Sequence, residues 1–82
     1  MWHVYALKGK DKIYIGSTEN LKRRIQEHTK GKTYSTRRMG KLRLIFCESF
    51  VSKIDALKQE KFYKTGYGRE VLKGKLENTL SD

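Results

Sequence analysis

The chain has 82 residues and a formal net charge of +10, with 19 basic side chains against 9 acidic ones. This length suffices for one domain with a single modest core, and the charge favours a polyanionic partner, nucleic acid before anionic lipid. No apolar run approaches the roughly 20 residues that cross a bilayer, so no membrane association is expected.

A β-hairpin is predicted at the start of the chain. Residues 2–7 are rich in aromatic and β-branched side chains, and residues 12–16 follow after a glycine-containing turn. If the facing ends of the two strands pair, Tyr5 lies opposite Tyr14 and both phenols project to one face. Such a pair is either a plain aromatic contact or part of a site. Because the first strand begins next to Met1, no signal peptide is expected.

A helix is predicted over residues 19–30. Ser17 or Thr18 offers an N-cap hydroxyl, and Gly31 stands where a helix commonly ends.

One face of this helix combines apolar and polar side chains. Leu21, Arg24, Ile25 and His28 have the spacing of a single helical face, which the leucine and isoleucine turn toward the sheet. Taken alone, Arg24 is expected to pack its aliphatic stem on the core and extend its charged group into water. His28 alone is expected to be a hydrogen-bonded core residue. Together, beside a tyrosine strand, they indicate a site. Arg23 points elsewhere and is expected to be solvated or to contact phosphate.

Residues 32–41 form a polar, basic loop in which hydroxyls and cations alternate with an aromatic side chain. This pattern suits nucleic acid, since cations reach phosphates and an exposed ring stacks on a base, although many surface loops are polar without such a role. The residues expected to contact nucleic acid are Arg23, Lys32, Tyr34, Ser35, Thr36, Arg37 and Arg38.

A third strand is predicted over Arg43–Phe50. Its nearly continuous apolar run is typical of a central strand covered on both faces, which places Cys47 in the packing. As the single cysteine, Cys47 has no internal disulfide partner, and a cytoplasmic location is expected.

Two further helices complete the pattern. Ser52 and Asp55 resemble a capping box that opens a helix to about residue 64. Glu60 borders the buried stripe of this helix, where a carboxylate needs either a lysine or a metal ion beside it. Gly66 and Gly68 are expected to interrupt the chain before a last helix over residues 69–80.

The motifs together carry a family resemblance. His3-Val4-Tyr5, Tyr14-Ile15-Gly16, Arg24, His28 and Glu60, in this order and at these distances, resemble the GIY-YIG nuclease domain, in particular its small stand-alone bacterial members. The resemblance covers nearly the whole chain, residues 1–82, as a single domain. It implies an α/β (α+β) fold with a three-stranded antiparallel sheet flanked by about three helices.

The resemblance also implies a function. Members of this kind are expected to be metal-dependent endonucleases that hydrolyse DNA phosphodiester bonds with low sequence specificity, using one Mg²⁺ or Mn²⁺ ion. The expected contexts are DNA repair, recombination or the processing of branched or single-stranded DNA, and the resemblance does not exclude RNA. The protein would be a monomer or weak homodimer, and its specificity would either be low or belong to a partner protein. The alternative is a noncatalytic nucleic-acid-binding module on the same scaffold.

The roles transfer position by position. Tyr5 matches the family's candidate general base, and Tyr14 matches the tyrosine that helps to position water or phosphate. Arg24 matches the arginine that steadies the scissile phosphate, His28 matches a histidine often found one turn later, and Glu60 matches the metal ligand.

Elementary chemistry adds a condition to these roles. A phenol with a pKa near 10 is a poor base at neutral pH, so a nearby cation must favour the phenolate. Arg24, the metal ion, or Lys12 on the same predicted strand face as Tyr14, would serve. Glu60 offers a hard oxygen ligand of the kind that magnesium prefers.

Overall fold

The computed structural model describes residues 1–81. Its antiparallel sheet has the order β2-β1-β3, formed by β1 (Trp2–Lys8), β2 (Ile13–Thr18) and β3 (Arg43–Phe50). The helices are α1 (Leu21–Thr29), α2 (Lys53–Tyr63), α3 (Gly66–Lys75) and α4 (Glu77–Leu80). The predicted fold class is confirmed. None of the helices in residues 1–81 is long and apolar enough to cross a membrane.

The central strand is β1, and the prediction that Arg43–Phe50 is central is wrong. Residues 4–7 of β1 are buried on both faces of the sheet, whereas β3 is an edge strand. Leu44 remains 43% exposed and Cys47 is exposed as well. An apolar run therefore does not require burial on both faces, since folded proteins keep much apolar surface in water.

The hairpin register differs from the predicted one by two residues. Tyr5 pairs with Gly16, and Leu7 pairs with Tyr14, because the four-residue turn comprises residues 9–12 instead of residues 8–11. Side chains alternate between faces with a period of two, so an offset of two leaves both tyrosines on the same face. The phenols are diagonal neighbours instead of direct ones.

Helix α1 begins two residues later than predicted. Its N-cap is Asn20, whose side chain accepts a hydrogen bond from the Arg23 amide, and the assignment of Ser17 or Thr18 as N-cap is wrong. Those two residues still belong to β2, where the sheet holds their backbone. Gly31 follows the helix with a φ of +74°, as expected for a residue that ends a helix.

The second half of the chain has one predicted helix start confirmed and one corrected. The Ser52 side chain caps α2 by accepting from the Asp55 amide. Helix α3 begins at Gly66, capped by Thr65, so the two glycines lie in its first turn and do not interrupt it. The predicted helix over residues 69–80 is instead divided into α3 and α4 at Leu76.

The two faces of the sheet carry different layers. Val4, Ala6 and Ile15 face the hydrophobic core, which α2 and α3 complete with residues such as Tyr63 and Leu72. The opposite face carries Tyr5 and Tyr14. This division places the tyrosines against α1 and places Glu60 on the helix layer behind the sheet.

Candidate active site

Three aromatic side chains from β1, β2 and α1 meet on one face of the sheet. The ring centroids lie 6.2 Å apart for Tyr5 and Tyr14, 5.7 Å for Tyr5 and His28, and 5.0 Å for Tyr14 and His28. Tyr5 and His28 are each 1% exposed. Gly16 makes this packing possible, because a Cβ there would lie only 2.6 Å from the Tyr5 Oη and 2.8 Å from its Cζ.

The His28 imidazole links Tyr5 to the basic loop. Its Nε2 lies 2.8 Å from the Tyr5 Oη, and its Nδ1 lies 2.7 Å from the Thr36 Oγ1. Burial lowers the pKa of His28, and the positive charge of Arg24 lowers it further. A neutral imidazole has one donor and one acceptor nitrogen. In the tautomer protonated at Nδ1, Tyr5 donates to Nε2 and Thr36 accepts from Nδ1.

His28 is expected to titrate below its ordinary pKa of 6.5 in the folded protein. The unfolded chain then binds this proton at a higher pH than the folded one, so His28 lowers the free energy of unfolding as the pH falls from 6.5 to the folded-state pKa. An NMR titration of the His28 ring protons, in a His3→Gln variant to remove overlap, gives the midpoint. A midpoint at or above 6.5 would contradict the buried, neutral imidazole.

Tyr5 is a protonated phenol at neutral pH. Burial raises its pKa to about 12, while hydrogen bonding to Arg24 acts in the opposite direction. In the protein without a metal ion, the cost of burying a charged phenolate exceeds the help from Arg24, so the expectation that a cation favours the phenolate stays a prediction for the metal-bound site.

Arg24 is oriented by its own helix. Its Nη1 donates to the Glu27 Oε1 at 2.9 Å, and its side chain is 33% exposed. Hydrogen bonds to Glu27 and then to Tyr5 raise the pKa of Arg24, so the guanidinium remains charged. Glu27 does not appear among the predicted site residues, although its i, i+3 spacing from Arg24 indicates such a contact. Arg23 is more exposed, at 64% of its side chain, as predicted from its position.

Glu60 lies on α2, on the opposite face of the sheet from Tyr5 and Tyr14, and both of its carboxylate oxygens have partners. Ser17 Oγ donates to Oε1 at 2.5 Å, and Lys64 Nζ donates to Oε2 at 2.7 Å. The negative charge of Glu60 also contributes to the raised pKa of Tyr5, so it acts on the aromatic cluster from the helix side of the sheet. Neither Ser17 nor Lys64 is among the predicted site residues. The strand alternation that turns Ser17 toward the helix layer is the signal that points to the first of them.

The donor set around Glu60 fits one hard divalent cation. Within residues 1–81, no group of three or more His, Cys, Asp or Glu side chains is arranged to hold a metal ion. A single carboxylate, completed by waters and substrate phosphate oxygens, is a normal magnesium site. Glu60, with the Ser17 hydroxyl beside it, meets this requirement.

The basic loop contributes one buried residue and several exposed ones. The prediction that Thr36 contacts nucleic acid is wrong, because Thr36 is 0% exposed and its hydroxyl is bound to His28. Tyr34 is 76% exposed, and the Arg37 guanidinium lies 4.8 Å from its ring centroid. The other predicted contact residues of the loop are exposed: Lys32, Ser35 and Arg38.

Lys12 belongs to the same surface as the loop and is not part of the aromatic cluster. It is exposed in the turn before β2 and lines a cavity of about 390 Å³ with Tyr34 and Arg38, among others. The cavity forms because the loop is docked on the hairpin, where the Lys10 amide donates to the Met39 carbonyl. Lys12, expected as one candidate cation for the phenolate, is not among the groups that lower the pKa of Tyr5, whereas Arg24 is.

Comparison with known proteins agrees with this geometry. A family model described as the GIY-YIG catalytic domain matches residues 1–75 of the chain. The chain belongs to the GIY-YIG family. A UPF0213 protein of Clostridium perfringens is 39% identical over 66 residues, which cover 78% of this chain and 71% of that relative. A UPF0213 protein of Oceanobacillus iheyensis is 35% identical over 60 residues, covering 71% of this chain and 70% of the relative.

A solved structure is similar as well. The solution NMR structure of a UPF0213 protein from Bacillus halodurans matches with a TM-score of 0.55 and 36% sequence identity, covering 88% of this chain and 82% of that one. This match supports the GIY-YIG fold described above.

One GIY-YIG motif is altered in this chain. The first motif reads His3-Val4-Tyr5, so its glycine and isoleucine are replaced while its tyrosine remains. His3 is accommodated on β1 beside the edge strand β3, where its Nδ1 lies 2.7 Å from the Ser49 Oγ. The second motif, Tyr14-Ile15-Gly16, is intact, and its glycine is the one that Tyr5 packs against.

Proposed function

We propose that this GIY-YIG protein is a metal-dependent endonuclease that hydrolyses DNA phosphodiester bonds. The observation that carries the proposal is the buried chain of contacts from Tyr5 to His28 to Thr36, with the charged Arg24 at its side. A module that only binds nucleic acid needs surface cations. It does not need a phenol buried against a neutral imidazole.

The contacts define a route for the proton of the attacking water. Tyr5 takes this proton at its Oη while its own proton passes to His28 Nε2, which lies 2.8 Å away. The lowered pKa of His28 keeps the imidazole neutral and able to accept. The raised pKa of Tyr5 means that a phenolate does not accumulate, so the two transfers are coupled. Tyr14, in contact with both rings, helps to orient the water or the phosphate.

Arg24 supplies charge where the transition state develops it. Phosphodiester hydrolysis passes through a crowded, more highly charged phosphorus centre, and a fixed guanidinium stabilises that charge without reorganisation. Glu27 holds Arg24 at 2.9 Å, which limits the side-chain entropy lost when substrate binds.

Glu60 is the residue that would hold the divalent ion, Mg²⁺ or Mn²⁺. Such an ion, when bound, polarises the phosphate and stabilises the leaving oxygen. The Ser17 hydroxyl fixes the Glu60 carboxylate on the side of β2, so the ligand is placed before substrate arrives.

The nucleic-acid contact surface is the basic loop together with the outer side of α1. Its side chains are exposed cations, hydroxyls and one aromatic ring, namely Arg23, Lys32, Tyr34, Ser35, Arg37 and Arg38. Tyr34 has one face against Arg37, which leaves the other face for an exposed base. We infer that DNA crosses this loop to reach Tyr5 and Arg24.

The test is incubation of the purified chain with supercoiled plasmid, branched DNA and single-stranded DNA, each with Mg²⁺, Mn²⁺ or chelator. Nicking is expected with either ion and is expected to be lost with chelator. DNA affinity is expected to fall steeply with salt, since several phosphate contacts release counterions.

The competing function, a noncatalytic binding module, predicts the same salt dependence. It differs in predicting no metal-dependent cleavage of any of the three substrates. An affinity that does not change with salt would contradict both functions.

A further inference from the structure

The Glu60 carboxylate is already engaged by a cation of the protein itself. Lys64 Nζ lies 2.7 Å from Oε2, one helical turn further along α2. Ser17 Oγ holds Oε1, so both oxygens of the candidate metal ligand have hydrogen-bond donors beside them. A divalent cation that approaches Glu60 therefore meets an ammonium group at the same carboxylate.

We propose that Lys64 is an internal counter-cation that occupies Glu60 in the metal-free protein and competes with the divalent ion for its carboxylate. This inference rests on the proposed function, in which Glu60 is the metal ligand. It assigns a regulatory role to a lysine outside the family motifs described above. It also explains how a mostly buried carboxylate is tolerated before a metal ion is present.

Burial makes a counter-cation necessary. The Glu60 side chain is only 18% exposed, and an unpaired carboxylate at such a position is costly. Pairing with Lys64 also makes this part of the site neutral, so the carboxylate does not repel the phosphate of incoming nucleic acid.

The position of Lys64 allows it to leave. Its side chain is 47% exposed and it is the C-terminal cap residue of α2, where the helix ends. A lysine carries its charge on a flexible four-carbon stem, so the ammonium can turn into water at small cost. Ser17 has no such freedom, because it lies within β2, and it continues to hold Oε1.

The test measures binding of Mn²⁺ alone, without nucleic acid, by electron paramagnetic resonance of the free ion. Lys64→Met is expected to bind Mn²⁺ about three- to tenfold more tightly than the unmodified chain, because a partly exposed ion pair and one repelling charge are removed. Lys64→Gln is expected to change the affinity in the same direction. Lys64→Arg keeps the cation and is expected to bind no more tightly than the unmodified chain.

The matched control is Lys61→Met. Lys61 is exposed on the same helix and takes part in none of the ion pairs found in residues 1–81, so its loss changes the overall charge equally without freeing Glu60. It is expected to produce less than half of the Lys64→Met effect. Equal gains in the two methionine variants would overturn the proposal, as would unchanged affinity in both Lys64→Met and Lys64→Gln.

A separate variant distinguishes failure of this inference from failure of the proposed function. If Glu60→Gln binds Mn²⁺ as well as the unmodified chain does, the metal site is not at Glu60, and the proposed function and this inference both fail. If Glu60→Gln abolishes binding and Lys64→Met leaves it unchanged, the role of Lys64 alone is wrong. If no variant binds Mn²⁺ at millimolar concentration without nucleic acid, the competition by Lys64 is contradicted, and the metal dependence of nicking alone decides the proposed function.

Discussion

Arg24→Met is expected to slow metal-dependent nicking by roughly 10²- to 10³-fold, the cost of removing one preorganised donor from a transition-state site. The guanidinium is charged, held by Glu27 and near enough to Tyr5 to lower the pKa of its phenol, so its loss removes the countercharge of the site. Methionine retains an unbranched apolar stem of similar length, and circular dichroism is expected to show an unchanged fold. Arg24→Lys keeps the positive charge but lacks the planar guanidinium. Its nicking rate is expected to lie between the rates of the unmodified chain and of Arg24→Met.

The neighbouring arginine is the matched control for this prediction. Arg23 is 64% exposed and also interacts with Glu27, at 3.7 Å, but it points away from the aromatic cluster. Arg23→Met is expected to weaken DNA binding. The slope of log affinity against log salt concentration is expected to become shallower by about one, as for the loss of a single phosphate contact. Equal nicking rates for the two methionine variants at saturating DNA would mean that Arg24 is outside the site or that the activity is a contaminant.

The side-chain pattern of α1 predicts the site better than any single residue does. An arginine and a histidine on the same face as Leu21 and Ile25 are costly unless they have partners, and the structure provides Glu27, Tyr5 and Thr36. The error of two residues in the hairpin register did not disturb this prediction. Period-two alternation keeps side chains on their face under any even offset.

The contacts that long-range folding creates were not predictable in the same way. Thr36 lies in a polar loop whose composition matches a nucleic-acid surface, and only the docking of that loop places its hydroxyl on His28. The raised pKa of Tyr5 likewise depends on how completely α1 covers β1, which no spacing rule measures. Local patterns specify faces, and tertiary packing specifies which polar groups on those faces are enclosed.

The fold also combines features that local patterns predict with features that depend on tertiary packing. Strand and helix positions follow from local patterns, but the choice of central strand does not. Both β1 and β3 are rich in apolar residues, and what separates them is that β1 pairs with a strand on each side and is buried on both faces. This arrangement is also why Tyr5 is buried while Cys47 is exposed, although they are register partners.

Glu60→Gln is expected to reduce nicking by roughly 10³-fold or to the level seen with chelator, and to abolish Mn²⁺ binding. The amide has nearly the same shape and still accepts from Ser17, but it lacks the negative charge that a divalent cation requires. Lys64 is left without its partner, and at 47% exposure it is solvated, so the fold is expected to remain. Circular dichroism checks the fold, and plasmid nicking with paramagnetic resonance checks the activity and the metal.

The control for this change is Glu70→Gln on α3. Glu70 is an exposed glutamate that, like Glu60, pairs with a lysine on its own helix, here Lys73 at 3.6 Å, and it is not one of the proposed site residues. It removes the same charge from the protein and is expected to preserve nicking and Mn²⁺ binding. DNA affinity is measured with chelator, so that binding is observed without cleavage. Loss of either carboxylate makes the protein more positive and is expected to raise its affinity for DNA slightly in both variants. If Glu60→Gln retains metal-dependent nicking, Glu60 is an ordinary ion-pair partner of Lys64 and the metal is held elsewhere. If it binds DNA normally and does not cleave, Glu60 is required for cleavage and not for DNA binding, as a metal ligand would be.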